Sequence, residues 1–196
     1  SAAEDTGLHA YYGTRNFGTT TELEVGNNSG GDRLYIARWD LGSLPTSGWG
    51  TTYEVVSATF SFYLNNFSSS WPTTNQPLLS VAAIGASNGG WIEGTKNNAD
   101  AALGEPTYNY LSSDTIQWDN GGTGSNAATA LGATGLGRGA SLGTLLLTGT
   151  TQQTYQIALD PTMMTSVLAG WTDGSNEGMV LYRASGATGK TAKIST

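Results

Sequence analysis

Several short stretches of this 196-residue sequence have residue types and spacings that could do chemistry. Near the end, "ASGATGKT" (residues 184–191) fits a degenerate phosphate-loop pattern: a small residue, four of any type, then Gly-Lys-Thr. That loop works only between a buried parallel strand and a helix whose first amides face the phosphates. The segment that follows, "AKIST", is β-prone, and nothing upstream suggests βαβ units. Nucleotide binding is therefore rejected. "GASNG" around Ser87 and "GASLG" around Ser141 both satisfy the G-x-S-x-G nucleophile pattern. The single histidine, His9, would have to serve as base for either, and neither match sits in a clear strand–turn–helix. Both read as turns in a Gly/Ser-rich chain.

Carboxylate pairs such as Asp114 with Asp119, or Glu93 with Glu105, have the chemistry of a glycosidase. Among fifteen acids any such pair is easily found, and surface or turn-capping roles are the better reading. The oxygen-rich loops "NNSGGD", "DNGG" and "DGSNE" lack the spacing of a calcium loop, and Asx-turns account for them. No metal and no cofactor is expected. Four aromatics, Trp71, Tyr108, Tyr110 and Trp118, lie in or beside polar Gly-rich stretches. They offer either flat platforms for sugar rings or packing beneath long loops. No catalytic residue emerges, and the chain is not expected to be an enzyme.

The elements that would position these residues are strands. "TELEV" puts Leu23 and Val25 opposite Glu22 and Glu24; "SATFSFYL" aligns Ala58, Phe60, Phe62 and Leu64 against Thr59, Ser61 and Tyr63; "TYQIAL" aligns Tyr155, Ile157 and Leu159. "RLYIARWDL", "PLLSVAAI", "GTLLLTG" and "GMVLYR" complete the set, separated by Gly/Asn/Ser loops. One segment departs from the pattern. "DPTMMTSVLAGW" begins with Asp160 as N-cap and Pro161 at the first helical position, with Met163, Met164, Val167, Leu168 and Trp171 at helical spacing. "NNADAALG" offers a further helical turn. The expectation is an all-β, antiparallel, jelly-roll-like β-sandwich with one short helix (about 160–172) capping one end.

Composition narrows the function. The charged fraction is 12%, about half the usual level, and glycine at 28 residues is about twice its usual share. Six Trp and nine Tyr argue for a packed core rather than disorder. A net charge of −7 with eight scattered Lys and Arg excludes a nucleic-acid footprint. No apolar run approaches a membrane span, and the absence of cysteine excludes disulfides and thiolate metal sites. The start "SAAEDT" reads as a processed end, which favours an extracellular, secreted protein.

Taken in order, "RLYIARWDLGSLP", "VVSATFSFYL", "SVAAIGASNGGWIEG", "GEPTYNY" and "VLAGWTDGSNEGMVLYR" resemble the DNRLRE-type domains. These are disaggregatase-related, carbohydrate-binding-module-like domains of secreted and cell-surface proteins. The resemblance spans nearly the whole chain, as a single domain over residues 1–196. It implies a jelly-roll-like sandwich in which Arg33, Trp39, Asp40, Leu41, Trp91, Glu93, Trp171, Asn176 and Gly178 are architectural. Domains of this type usually continue past an "AKIST"-like segment into one more strand. Either "TAKIST" is here the last strand, or the sandwich lacks one. A sandwich short of one strand exposes unpaired amides and invites another chain to pair.

The leading expectation is thus a secreted structural subunit that assembles with copies of itself into an extracellular filament or matrix. Its pairing strands would be Leu8, His9, Ala10 and Tyr11 at one end and Thr191, Ala192, Lys193 and Ile194 at the other. The alternative is a carbohydrate-binding module that holds a polysaccharide on Trp71, Tyr108, Tyr110 and Trp118.

Overall fold

A computed structural model describes residues 4–67, 71–149, 151–171 and 176–195. The chain runs through β1 (Glu4–His9), β2 (Arg15–Asn16), β3 (Glu22–Asn28), β4 (Gly31–Arg38), β5 (Ala58–Phe67) and β6 (Leu78–Ile84). It continues with β7 (Ala99–Asp100), β8 (Tyr110–Ser112), β9 (Ile116–Asp119), β10 (Gly124–Ser125) and helix α1 (Ala127–Leu131). The last elements are β11 (Arg138–Leu146), β12 (Gln153–Leu159), α2 (Pro161–Trp171), β13 (Met179–Ser185) and β14 (Lys190–Ser195).

The main sheet is antiparallel, in the order β11-β6-β13-β4-β3-β14-β5-β12, with β1 also paired to β4. Its registers show how it folds into two layers. Arg33 of β4 has His9 on one side and Gly26 on the other, and Tyr35 has Gly7 and Leu181. So β3 and β13 share one flank of β4. After its short ladder with β4, β3 swings away to pair with β14. Gly26, where this happens, has φ of +130°, and a Cβ there would lie 2.4 Å from the Lys190 carbonyl oxygen. One layer is β1-β4-β13-β6-β11, the other β3-β14-β5-β12. They meet again at the far side, where the Asp160 amide donates to the Leu142 carbonyl at 2.8 Å. The all-β sandwich expected from the alternating strands is the fold observed.

Between the layers lies one core, built from alternate residues such as Leu23, Val25, Phe60, Phe62, Leu64, Ile157 and Ile194. A second core covers the outer face of the β4 layer, where Leu8, Leu34, Ile36, Ala82, Ile84 and Val180 meet Trp91, Trp118, Ala130 and Leu131. The long excursion from Gly85 to Gly137 supplies that cover. This is why β4 and β6 bury consecutive rather than alternate residues: a strand buried on both faces has no need of a polar one.

Helix α2 matches the expected segment. The Met163 amide donates to Asp160 Oδ1 at 2.9 Å, the anticipated cap. Met164, Leu168 and Trp171 are buried against the inter-sheet core. Helix α1 was not anticipated. "SNAATALG" carries its own signals, with Asn126 accepting from the Thr129 amide as N-cap and Gly132 at the C-cap. "NNADAALG", expected as a helical turn, instead contributes the two-residue strand β7, paired with β2. Only two residues are needed to bridge Arg15 and Asn16, and that pairing outweighs the alanines' weak helical preference.

Gly178 joins the end of the α2 corner to β13. Its φ is +85°, and a Cβ would come within 2.5 Å of the Ala37 carbonyl oxygen and 3.2 Å of the Trp91 ring. Gly178→Ala is expected to lower stability by about 1–3 kcal/mol, from left-handed strain plus displaced backbone. Chemical denaturation would measure it, and a change near zero would show that this corner relaxes freely.

Candidate functional site

β14 determines where the sandwich is closed and where it is open. Ala192 lies between Val25 and Phe67, Lys193 between Glu24 and Asn66, and Ile194 between Leu23 and Leu64. Ser195, between Glu22 and Tyr63, is the last described residue of this ladder. β5, however, runs on from Tyr63 to Ala58. Along Ala58–Phe62 it pairs with β12 on one flank, and among the described residues no strand pairs with the other.

That unpaired flank borders a groove of about 510 Å³. Phe60, Tyr35, Trp39, Met164 and Met179 give it an apolar lining, with Ser195 at the end of β14 and Asp5 on the wall. The rings are fixed by edge-on packing: Phe60 stands 5.7 Å from Trp39 and 6.4 Å from Tyr35, centroid to centroid. The period of β5 places Phe60 and Phe62 inward, both nearly fully buried, and leaves Thr59 and Ser61 exposed on the outer face. The groove therefore lies beside the end of the described part of β14.

Among the described residues Asp5 is the only charged one lining it. Burial pushes its pKa up to about 6, the Glu93 carboxylate adds to the rise, and a hydrogen bond with Tyr35 works against it. The Tyr35 hydroxyl is itself pushed well above the usual range, chiefly by burial and then by Asp5.

The anticipated assembly residues fall on two different kinds of strand. Thr191, Ala192, Lys193 and Ile194 lie in β14, flanked by β3 throughout and by β5 from Ala192 on, so the tail is an interior strand of its own sheet. Leu8 and His9 belong to β1, whose ladder is with β4, and both are buried. Ala10 and Tyr11 form a 3₁₀ turn, from which Tyr11 projects into solvent. Among the described residues β1 has no strand on its other flank, and Ala58–Phe62 of β5, which the sequence reading did not single out, is likewise unpaired on one side. The alternation of β5 resembles that of its neighbours, and only the register of β14, whose described residues meet β5 from Phe67 to Tyr63, distinguishes it.

The four loop aromatics do not form a platform. Trp118 is fully buried in the second core, its indole N–H donating to the Thr107 carbonyl at 2.8 Å. It has no face to offer a sugar, so its assignment as a glycan contact is corrected to a packing role. Trp71 is half-buried against the inter-sheet core, edge-on to Phe67, and donates to the Leu147 carbonyl. Tyr108 packs on the second core, and Tyr110 is half-buried. The loops are long enough to need a core of their own, and these rings supply it.

The catalytic motifs resolve into structure as well. Ser87 Oγ donates to Asp119, and Ser141 Oγ shares a hydrogen bond with Ser80. Neither has His9 as a partner. His9 is buried with its ring 4.1 Å from Phe17, and both ring nitrogens lack a partner. Burial and the nearby Arg33 hold its pKa down at about 3. For Glu105, burial favours a raised pKa, but hydrogen bonds from Ala102 and Thr95 reverse this and leave it lowered. It ties a loop together. Asp119 and Asn28 accept amides of Gly122 and Gly30 in Asx-turns, as expected. "DGSNE" lies mostly outside the described residues. Among the described residues no group of three or more metal-ligating side chains gathers.

Fold and groove together define a class: an antiparallel β-sandwich in whose second sheet half of one strand edge, among the described residues, has no partner beside an apolar groove. No protein-family model matches the chain, and no curated protein matches it either. No helix among the described residues is long and apolar enough to cross a membrane.

Proposed function

We propose that this chain is a non-catalytic, secreted structural subunit that joins copies of itself by β-strand pairing into an extracellular filament or matrix. The observation that carries the reading is the Ala58–Phe62 edge, which among the described residues has no partner on one flank, beside an apolar groove. Natural sheet edges are normally protected by charges, prolines or bulges. β5 and β12, "ATFSFYLNNF" and "QTYQIAL", contain neither a charged residue nor a proline. Val56, two residues before the edge, is 84% exposed. The outer face of these two strands is a neutral array of Thr59, Ser61, Thr154 and Gln156, so a second copy can approach closely there despite a net charge of −7. Strand addition gives affinity through main-chain hydrogen bonds and specificity through alternate side chains. A heterologous contact of this kind, repeated, builds a filament. The DNRLRE-type resemblance, with its cell-surface setting, belongs to the same proposal. Polysaccharide binding on the loop aromatics is the weaker reading, because Trp118 is in the core.

Hydrogen exchange on dilute and concentrated protein, with negative-stain microscopy in parallel, tests this. Alternate amides of Ala58–Phe62 should exchange freely in the dilute sample and become protected on assembly. Amides of residues 63–67, already flanked by β14, should be protected in both. A discrete monomer at every concentration would defeat the reading. Assembly with an unchanged Ala58–Phe62 edge would place the contact elsewhere.

A further inference from the structure

The one histidine of the chain is held where a proton is poorly accommodated. His9 forms the last rung of the ladder between β1 and β4, opposite Arg33, and among the described residues no strand lies on the other flank of β1. Its ring packs on Phe17 at 4.1 Å and lies 6.4 Å from the Tyr12 ring, over which the Arg15 guanidinium sits at 4.6 Å. Both ring nitrogens are closed off from solvent and have no partner among the described residues. A cleft of about 420 Å³ runs beside the ring. The charged groups that line it are Arg33 from β4, Glu22 and Glu24 from β3, and Lys193 from β14. Glu24 is taken by Arg33, and Glu22 by Lys193 at 3.6 Å, so neither carboxylate is left to balance a charged imidazole. The anchorage of this segment is slight. Ala10–Tyr12, the 3₁₀ turn that follows His9, contains no buried residue. The flanking anchors are Leu8, in the second core, and Gly13, whose carbonyl accepts the Asn109 amide at 3.0 Å.

We propose that His9–Tyr12 is an acid-released latch: protonation of His9 swings this segment away from the cleft, between Leu8 and Gly13, while the rest of the sandwich stays folded. An imidazolium in the closed position is a buried cation beside Arg33 with no acceptor for either N–H, which is costly. Swung out, both N–H groups reach water. The opening breaks only the terminal rung of an edge strand and the ring stack, so it costs less than unfolding the sheet. Release uncovers Phe17, which is 3% exposed in the closed form, and the Arg33 side chain. The closed form holds the His9 pKa at about 3, and the open form returns it to about 6.5. Opening is thus independent of pH above about 6.5 and grows by up to tenfold per pH unit below it, down to about pH 3. Asp5, further along β1, keeps its place in the ladder and takes no part in the release.

Hydrogen exchange on the natural chain at pH 7.5 and 4.5, corrected for the intrinsic rate of each amide, tests the latch. Protection of the amides between His9 and Gly13 should fall about a hundredfold. In the core strands β6 and β13, which exchange through unfolding of the sheet, it should fall only about a few-fold, because the Asp5 effect opposes that of His9 there. His9→Leu should abolish the fall between residues 9 and 13. His9→Gln, polar but unable to take up a proton, should do the same, and it serves if the leucine variant does not fold. A loss of protection equal in all strands overturns the proposal, since His9 then takes its proton only on global unfolding. Unchanged protection between residues 9 and 13 in the natural chain, or a fall of the same size in either variant, overturns it as well.

Discussion

Lowering the pH from 7.5 to 4 is expected to remove about 3 kcal/mol of stability through a single side chain, His9. In the folded protein its pKa is held at about 3, first by burial and then by the charge of Arg33. In the unfolded chain it returns to about 6.5. The folded-state value is depressed, so the contribution of this group is fully present above pH 6.5. It is lost progressively as the unfolded chain takes up a proton that the folded chain refuses, down to about pH 3. Asp5 acts with the opposite sign. Its folded-state pKa is raised, so its effect favours the fold at low pH and is lost as pH rises through about 6. Over the same interval Asp5 returns about 2 kcal/mol, so the natural chain shows only the difference, and comparing its denaturation curves with those of a His9 variant at pH 7.5 and 4 separates the two. In His9→Leu the acid loss should disappear and the Asp5 effect should leave the protein more stable at pH 4 than at 7.5. The variant should also gain at neutral pH, because two buried nitrogens without partners are removed. A His9→Leu protein that loses as much stability at pH 4 as the natural chain would show that acid sensitivity lies elsewhere.

Replacing Trp118 by alanine is expected to cost about 3–5 kcal/mol, a drop in melting temperature on the order of 10 °C for a chain of this size. The ring is completely buried, closing the second core with Trp91 and Leu131 over the outer face of the β4 layer. Its removal leaves a cavity and also strips the Thr107 carbonyl of its donor. Trp118→Phe should recover part of the loss but not the hydrogen bond. The size of the effect discriminates between roles. A sugar platform on a loop would tolerate alanine with little change in melting temperature, whereas a residue that holds an entire excursion onto a sheet would not.

The strands themselves were legible from local chemistry. Alternation in "TELEV", "SATFSFYL" and "TYQIAL" named the inward residues, because a side chain's face in a strand depends only on its parity. Helix α2 was legible for the same kind of reason: Asp160, Pro161 and the apolar spacing are all local signals. The β-prone character after Lys190 was equally local, and Lys190–Ser195 is a strand.

What lay beyond the sequence was every property that depends on how far one strand reaches along another. The parity of Ile194 can be read from its neighbours. That it lies between Leu23 and Leu64 cannot, nor that the ladder of β14 reaches Tyr63, with no strand among the described residues on that flank of Ala58–Phe62. Trp118 shows the same limit for packing, since its Gly-rich surroundings describe a loop but not the sheet beneath it. Pairing and burial join residues far apart in the chain, and their energies belong to the contact rather than to either segment. Only the tertiary structure could therefore show the tail strand flanked on both sides and Ala58–Phe62 bordering a groove with Asp5 on its wall.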